Sequence, residues 1–150
     1  RRQCTCTPTQ INRYRSRISG PLLDRIDIQV EVSNVDYEDL SSTENSETSA
    51  EIKKRVNKTR KLQLERYKDY NIYSNSQLDA GMLKKFCPLD EEENAILRAA
   101  FDNLGLSARA HSRILKVART IADLEGSENI KSEHIAEAIQ YRSLDRKYFE

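Results

Sequence analysis

Gly105-Leu106-Ser107-Ala108-Arg109-Ala110-His111-Ser112-Arg113-Ile114-Leu115-Lys116-Val117-Ala118-Arg119-Thr120-Ile121-Ala122-Asp123-Leu124 is the stretch that decides the fold. Ala110, Ile114, Val117, Ile121 and Leu124 recur at spacings of four, three, four and three, which puts them on one face of a helix. Ser107 is a ready N-cap, because its hydroxyl can accept an N–H that the first turn leaves unpaired. Gly126 closes the helix, and Gly105 sits where a preceding helix would end. A helix with one apolar face needs other helices or a sheet to cover it.

The neighbouring sequence supplies helices. Asp90 caps one that runs through Ala95, Ile96, Ala99, Ala100 and Leu104, after Pro88 has forced a break. A short helix is predicted over 76–86. A longer one is predicted from 49 to about 70, with Ile52, Val56, Thr59, Gln63 and Tyr67 on one line and Leu62 and Leu64 beside it. Downstream, a helix over 132–142 turns Ile135, Ala138 and Ile139 inward. Residues 51–150 therefore read as a small helical bundle. Residues 36–50 carry Asp36, Glu38, Asp39, Glu44 and Glu47 without a basic residue, among many hydroxyls, and read as a linker.

Residues 1–35 differ. Ile26, Ile28, Val30 and Val32 alternate with Asp27, Gln29 and Glu31, the period of a strand. A lone strand cannot satisfy its backbone polar groups, so its sheet is expected outside this chain. The tail over 1–47 is accordingly expected to lack structure of its own.

Composition narrows the function classes. The chain has 150 residues, 33% of them charged, with a net charge of +1. That balance argues against an indiscriminate nucleic-acid binder and against an acidic tail. No apolar run approaches the roughly 18 residues that span a bilayer. The opening Arg1-Arg2-Gln3-Cys4 is not followed by the apolar stretch of a signal peptide, and the missing initial Met suggests an excised segment. Three cysteines, Cys4, Cys6 and Cys87, cannot pair evenly, which fits a reducing, cytoplasmic setting.

Four features could carry chemistry. In Ser19-Gly20-Pro21-Leu22-Leu23-Asp24-Arg25-Ile26-Asp27, a Gly-Pro turn and two leucines anchor an arginine at the mouth of the expected strand. A guanidinium there can be aimed at phosphate oxygens, which it matches in fork geometry. The plainer alternative is a surface pair of Arg25 with Asp24 or Asp27. Second, Arg109, Arg113 and Lys116 share one face at the start of the helix that opens at Ser107, where the positive dipole end also favours anions. The alternative is a solvated basic face. Third, the helix over 49–70 carries Lys53, Lys54, Arg55, Lys58, Arg60, Lys61, Arg66 and Lys68, which suits a nucleic-acid backbone or serves solubility alone. Fourth, Cys4-Thr5-Cys6 offers two thiolates, but structural zinc wants four ligands, and Cys87, His111 and His134 are not spaced to supply the rest. No metal site is therefore assigned. His111 and His134 read as ordinary surface or half-buried histidines, and Cys87 as a packing residue. There is no Gly-rich phosphate loop, no Ser/His/Asp arrangement and no paired-carboxylate motif, so an isolated catalytic function has no support.

Taken together these residues resemble a family. Cys4-x-Cys6-Thr7-Pro8, then Ile11-x-x-Tyr14-x-x-Arg17-Ile18-Ser19-Gly20-Pro21-Leu22-Leu23-Asp24-Arg25-Ile26-Asp27-Ile28, is similar to the end of the AAA+ core in magnesium-chelatase-like proteins of the ComM/YifB type. The 105–110 and 113–124 blocks, with His134-Ile135-Ala136-Glu137-Ala138-Ile139-Gln140-Tyr141-Arg142, resemble its C-terminal helical lid. The resemblance implies a mainly α fold: a small helical bundle preceded by a tail from an α/β ATPase core, with one orphan strand. It implies that Arg25 is an arginine finger for the ATP of a neighbouring subunit. Arg109 would be the sensor-2 arginine on the phosphates of bound ATP, with Arg113 beside it. It also implies ATP and Mg2+ in a full-length ring, a hexamer in expectation, acting on DNA in branch migration, with metal insertion into a porphyrin as the alternative. A free-standing helical DNA- or protein-binding module is the rival from another class. The Walker A and B motifs of such a core do not occur in this sequence, so the segment alone is expected to be a monomer that neither binds ATP tightly nor hydrolyses it. Zinc at Cys4 and Cys6 is expected only if upstream residues complete the set.

Overall fold

In the computed structural model, residues 4–32 and 47–142 are described. Most of the acidic linker and residues 143–150 at the end of the expected lid lie outside them.

The order of elements is α1 (Pro8–Arg15), α2 (Gly20–Leu23), α3 (Ser49–Arg66), a 3₁₀ turn (Asn75–Gln77), α4 (Ala80–Phe86), α5 (Glu91–Leu104), α6 (Ala108–Glu125) and α7 (Ser132–Gln140). The described residues are thus mainly helical. Local chemistry explains most boundaries. Thr48 and Glu51 exchange hydrogen bonds across the first turn of α3, and Asp90 with Glu93 do the same for α5. Ser107 caps α6 through the Ala110 N–H at 3.2 Å. Gly105 and Gly126, with φ of 59° and 84°, end α5 and α6 in the left-handed conformation that glycine adopts without strain.

Helix α6 is the centre of the bundle. It packs on α7, and also on α3, α4 and the 3₁₀ turn, while α5 packs on α7. Its buried face is Ala110, Ile114, Leu115, Ala118 and Ala122, joined in the core by Tyr67, Leu78, Leu83, Cys87, Leu97, Leu106, Ile130, Ile135 and Ala138. The expected stripe is rotated by part of a turn. Val117 and Ile121 lie at the core's margin, and Leu124 is exposed. The small residues Ala118 and Ala122 face the core because they let neighbouring helices approach closely.

Three further expectations change. The helix over 76–86 is two elements: Asp79 caps α4 through the Met82 N–H at 2.8 Å, which separates it from the 3₁₀ turn. On α3 the expected apolar line is buried only at its end. Thr59, Gln63 and Tyr67 are buried, whereas Ile52, Val56, Leu62 and Leu64 are exposed. Residues 26–32 form no strand, and no strand occurs among the described residues. Instead of a strand ladder, the Gln29 N–H finds the Tyr141 carbonyl at 2.9 Å.

The tail is also not structureless. Residues 4–32 hold α1 and α2, neither of which was anticipated, and they are tied to the bundle at Asp24, Arg25, Ile26, Asp27 and Gln29. Ile26, Ile28, Val30 and Val32 remain exposed. No helix among the described residues is long and apolar enough to cross a membrane.

Candidate functional site

Pro21 in the first turn of α2 and the carbonyl of Ser19 start a short helix, in which the Leu22 and Leu23 N–H groups both donate to Ser19. Leu23 is buried and anchors it. The Arg25 N–H donates to the Leu22 carbonyl and the Ile26 N–H to the Leu23 carbonyl, so the turn continues past Arg25. The Arg25 side chain is exposed and makes no hydrogen bond or ion pair among the described residues. It therefore does not form the surface pair with Asp24 or Asp27.

Those two carboxylates have other partners. Asp24 accepts from the Ser107 hydroxyl at 3.0 Å and from Arg142 Nη2 at 3.4 Å. Asp27 pairs with Arg113 Nη1, which also donates to the Arg25 carbonyl at 2.7 Å. Arg142 Nη1 donates to the Ile26 carbonyl at 2.8 Å. Arg142 is buried, and its sequence distance from Ile26 made this contact invisible to any local pattern.

The three cations expected to gather at the start of α6 therefore separate. Arg109 is exposed and has no hydrogen bond or ion pair among the described residues. Arg113 is engaged with the tail, and Lys116 Nζ donates to the Ser76 carbonyl at 2.9 Å. Arg25 and Arg109 are the two guanidinium groups of the site left available, and each fits phosphate oxygens by charge and fork geometry. Both fit the phosphate oxygens of ATP, whereas Mg2+ would need oxygen ligands, which a guanidinium does not offer.

On α3, Lys53, Lys54, Lys58 and Lys61 line a shallow exposed depression with Ala50 and Asn57. Arg55 is apart from them, bonded to Glu47 at 2.6 and 3.0 Å. Arg66 is turned into the bundle against Asp123.

Cys4 and Cys6 are exposed and unpaired. Hydrogen bonds from the Cys6 backbone and thiol hold the Cys4 thiol below its usual range, while the hydrogen bond and charge of Cys4 raise Cys6. Two thiols do not make a zinc site, and no other metal-ligating group among the described residues joins them. Glu125, Glu133 and His134 do bring their ligand atoms together. However, Lys131 Nζ sits 3.7 Å from Glu125 and 3.1 Å from Glu133, and His134 Nδ1 already accepts the Lys131 N–H at 2.9 Å. This group serves the start of α7. His134 is buried rather than on the surface.

The sequence of the helical bundle matches a known family. The model for magnesium chelatase, subunit ChlI C-terminal, matches residues 46–142, and that for magnesium chelatase, subunit ChlI, matches residues 1–40. The chain belongs to the magnesium-chelatase ChlI C-terminal family. It is 43% identical over 141 residues, 93% of the chain, to competence protein ComM of Haemophilus influenzae. It is 42% identical over 142 residues, 94% of the chain, to the uncharacterized protein YifB of Escherichia coli. A Mycobacterium bovis protein, Mb2921c, is 29% identical over 139 residues, 93% of the chain. The chain spans 27% of the length of each of these relatives.

Proposed function

We propose that this chain is the arginine-finger segment and nucleotide-sensing lid of an AAA+ ATPase that works as a ring, a hexamer, on DNA. The observation that carries the reading is that Arg25 and Arg109 are both exposed and have no hydrogen bond or ion pair among the described residues, although Asp24, Asp27 and Arg113 are bonded. Asp24 and Asp27, the carboxylates beside Arg25, are bonded to Ser107, Arg113 and Arg142, which leaves the Arg25 guanidinium available for a ligand. Arg25 would reach the ATP of the neighbouring subunit, and Arg109 the phosphates of the ATP bound by its own subunit. When bound, ATP with Mg2+ supplies the phosphoryl group whose transfer to water drives the motor. Arg25 and Arg109 supply positive charge where negative charge builds on that group. Arg113, engaged with the tail, supports Arg25 rather than forming a second phosphate contact.

A DNA substrate is supported by the basic face of Lys53, Lys54, Lys58 and Lys61 and by the competence name of the Haemophilus relative. The chelatase name of the matching family supports porphyrin metallation as the second reading.

The test is ATP hydrolysis by the full-length protein with and without branched DNA. Strong stimulation supports the DNA motor; no stimulation removes DNA as the substrate. Arg25→Ala should lower kcat by about 10³-fold, the scale on which such arginines act. An Arg25→Ala or Arg109→Ala protein with normal turnover would overturn the role given to that residue.

A further inference from the structure

We infer that Arg113 and Asp27 are positioning residues that tie the aim of Arg25 to the start of α6 in the same chain. The inference rests on the reading of Arg25 and Arg109 given above.

The aim of Arg25 cannot be set by its own side chain, which has no partner among the described residues. It is set by the backbone, and that backbone is held from both sides. The Arg25 carbonyl accepts from Arg113 at 2.7 Å and the next carbonyl, of Ile26, accepts from Arg142 at 2.8 Å. Both donors are charged, which makes these bonds stronger than neutral ones. The carboxylates on either side of Arg25 and Ile26 complete the hold. Asp27 takes Arg113, and Asp24 takes Ser107 and Arg142.

The contacts from α6 bracket Arg109. Ser107 lies two residues before it and Arg113 four residues after it, one helical turn or about 6 Å along the axis. The Ser107 hydroxyl caps the helix through the Ala110 N–H while it donates to Asp24. A ligand that pulls on Arg109 therefore displaces, in one rigid turn, the two groups at the start of α6, Ser107 and Arg113, that hold the Arg25 segment alongside Arg142. The state of one subunit's nucleotide is thus passed to the finger that the subunit offers to its neighbour.

The Arg113–Asp27 pair is poorly placed to serve folding instead. The two side chains are 25% and 53% exposed, and such solvent-screened pairs add little stability. Removing the pair should leave the fold intact, so a change in turnover would report on the finger.

The experiment compares full-length wild type, Asp27→Asn, Arg25→Ala and the Asp27→Asn/Arg25→Ala double variant in ATP hydrolysis. Thermal midpoints are measured alongside. We expect Asp27→Asn to lower kcat about tenfold, the scale of coupling between sites, with KM within about twofold and the midpoint unchanged. In the Arg25→Ala background it should have no further effect, because Asp27 acts through Arg25. Asp27→Glu should restore much of the loss. Wild-type kcat in Asp27→Asn, or an effect that multiplies with that of Arg25→Ala, overturns the inference while the finger stands. Normal turnover in Arg25→Ala removes the finger and the inference with it.

Discussion

Arg66, at the end of α3, meets Asp123, on α6, through two hydrogen bonds of 2.9 and 2.6 Å. The Asp123 carboxylate is buried, and it also accepts from Arg119 Nε at 3.0 Å, Gln63 Nε2 at 3.2 Å and Asn75 Nδ2 at 2.9 Å. One carboxylate thus joins α3, the 3₁₀ turn and α6. Asn75 in turn accepts the Tyr67 hydroxyl at 2.7 Å, inside the core. Asp123→Ala leaves two arginines facing a buried gap. It should lower the unfolding free energy by about 3–5 kcal/mol, the scale for breaking a buried charge pair from one side. Urea denaturation checks it. A loss under about 1 kcal/mol would mean that water replaces the carboxylate at this joint.

The same residue gives the bundle an acid limit. Burial pushes the Asp123 pKa up, but hydrogen bonds from Arg66 and Asn75 and the charges of Arg119 and Arg66 outweigh it and hold it below the usual carboxylate value. A depressed folded pKa gives stability that is fully present above the unfolded value, about 3.9, and lost as pH falls through the lower folded value. Wild type should therefore lose stability below about pH 4, and Asp123→Asn should lose less of its own over that range. Equal slopes for the two proteins would show that other carboxylates set the acid limit.

How much of this was legible in the sequence depends on how local the cause is. The capped boundaries of α5 and α6 follow from Asp90, Gly105, Ser107 and Gly126, each acting within about a turn, and they stand where the spacing puts them. Alternation over 26–32 is a true pattern that forms no strand, because a strand requires a partner and the alternation cannot supply one. The exposure of Ile52 and Val56 was equally hidden, since periodicity marks an apolar line but not how far its cover extends. At the candidate site, residue type and position singled out Arg25 and Arg109, and the roles expected of them came from the family resemblance. The ties of Ser107, Arg113 and Arg142 to the tail were not, because they join residues 83 to 118 positions apart and only packing brings them together.

The cysteines should separate by reactivity. The thiolate is the reacting form, so a lowered pKa and exposure both speed alkylation. Cys87 is buried and its pKa is pushed up to about 11, chiefly by burial, with the charges of Arg119 and Arg66 opposing. Cys4 is exposed and lowered, and Cys6 is exposed and raised. With iodoacetamide near neutral pH, Cys4 should label first, Cys6 next, and Cys87 only after unfolding. Peptide mapping by mass spectrometry reads the order. Labelling of Cys87 in the native protein at the rate of Cys6 would show that α4 opens readily from the core.

The basic face of α3 can be tested by salt. Lys53, Lys54 and Lys58 stand together on an exposed depression and none of them is bonded to an acid among the described residues, whereas Arg55 is held by Glu47. The three lysines should bind phosphates and Arg55 should not. Each phosphate contact adds about 0.9 to the slope of log K against log salt for duplex DNA. Replacing all three lysines by alanine in the full-length protein should weaken DNA binding at every sequence tried. It should also reduce that slope by about 2–3, whereas Arg55→Ala should change it by less than about half a unit. Fluorescence anisotropy over a range of salt concentrations reads both. An unchanged slope in the triple variant would make this face a solubilising surface and place the DNA contacts elsewhere in the protein.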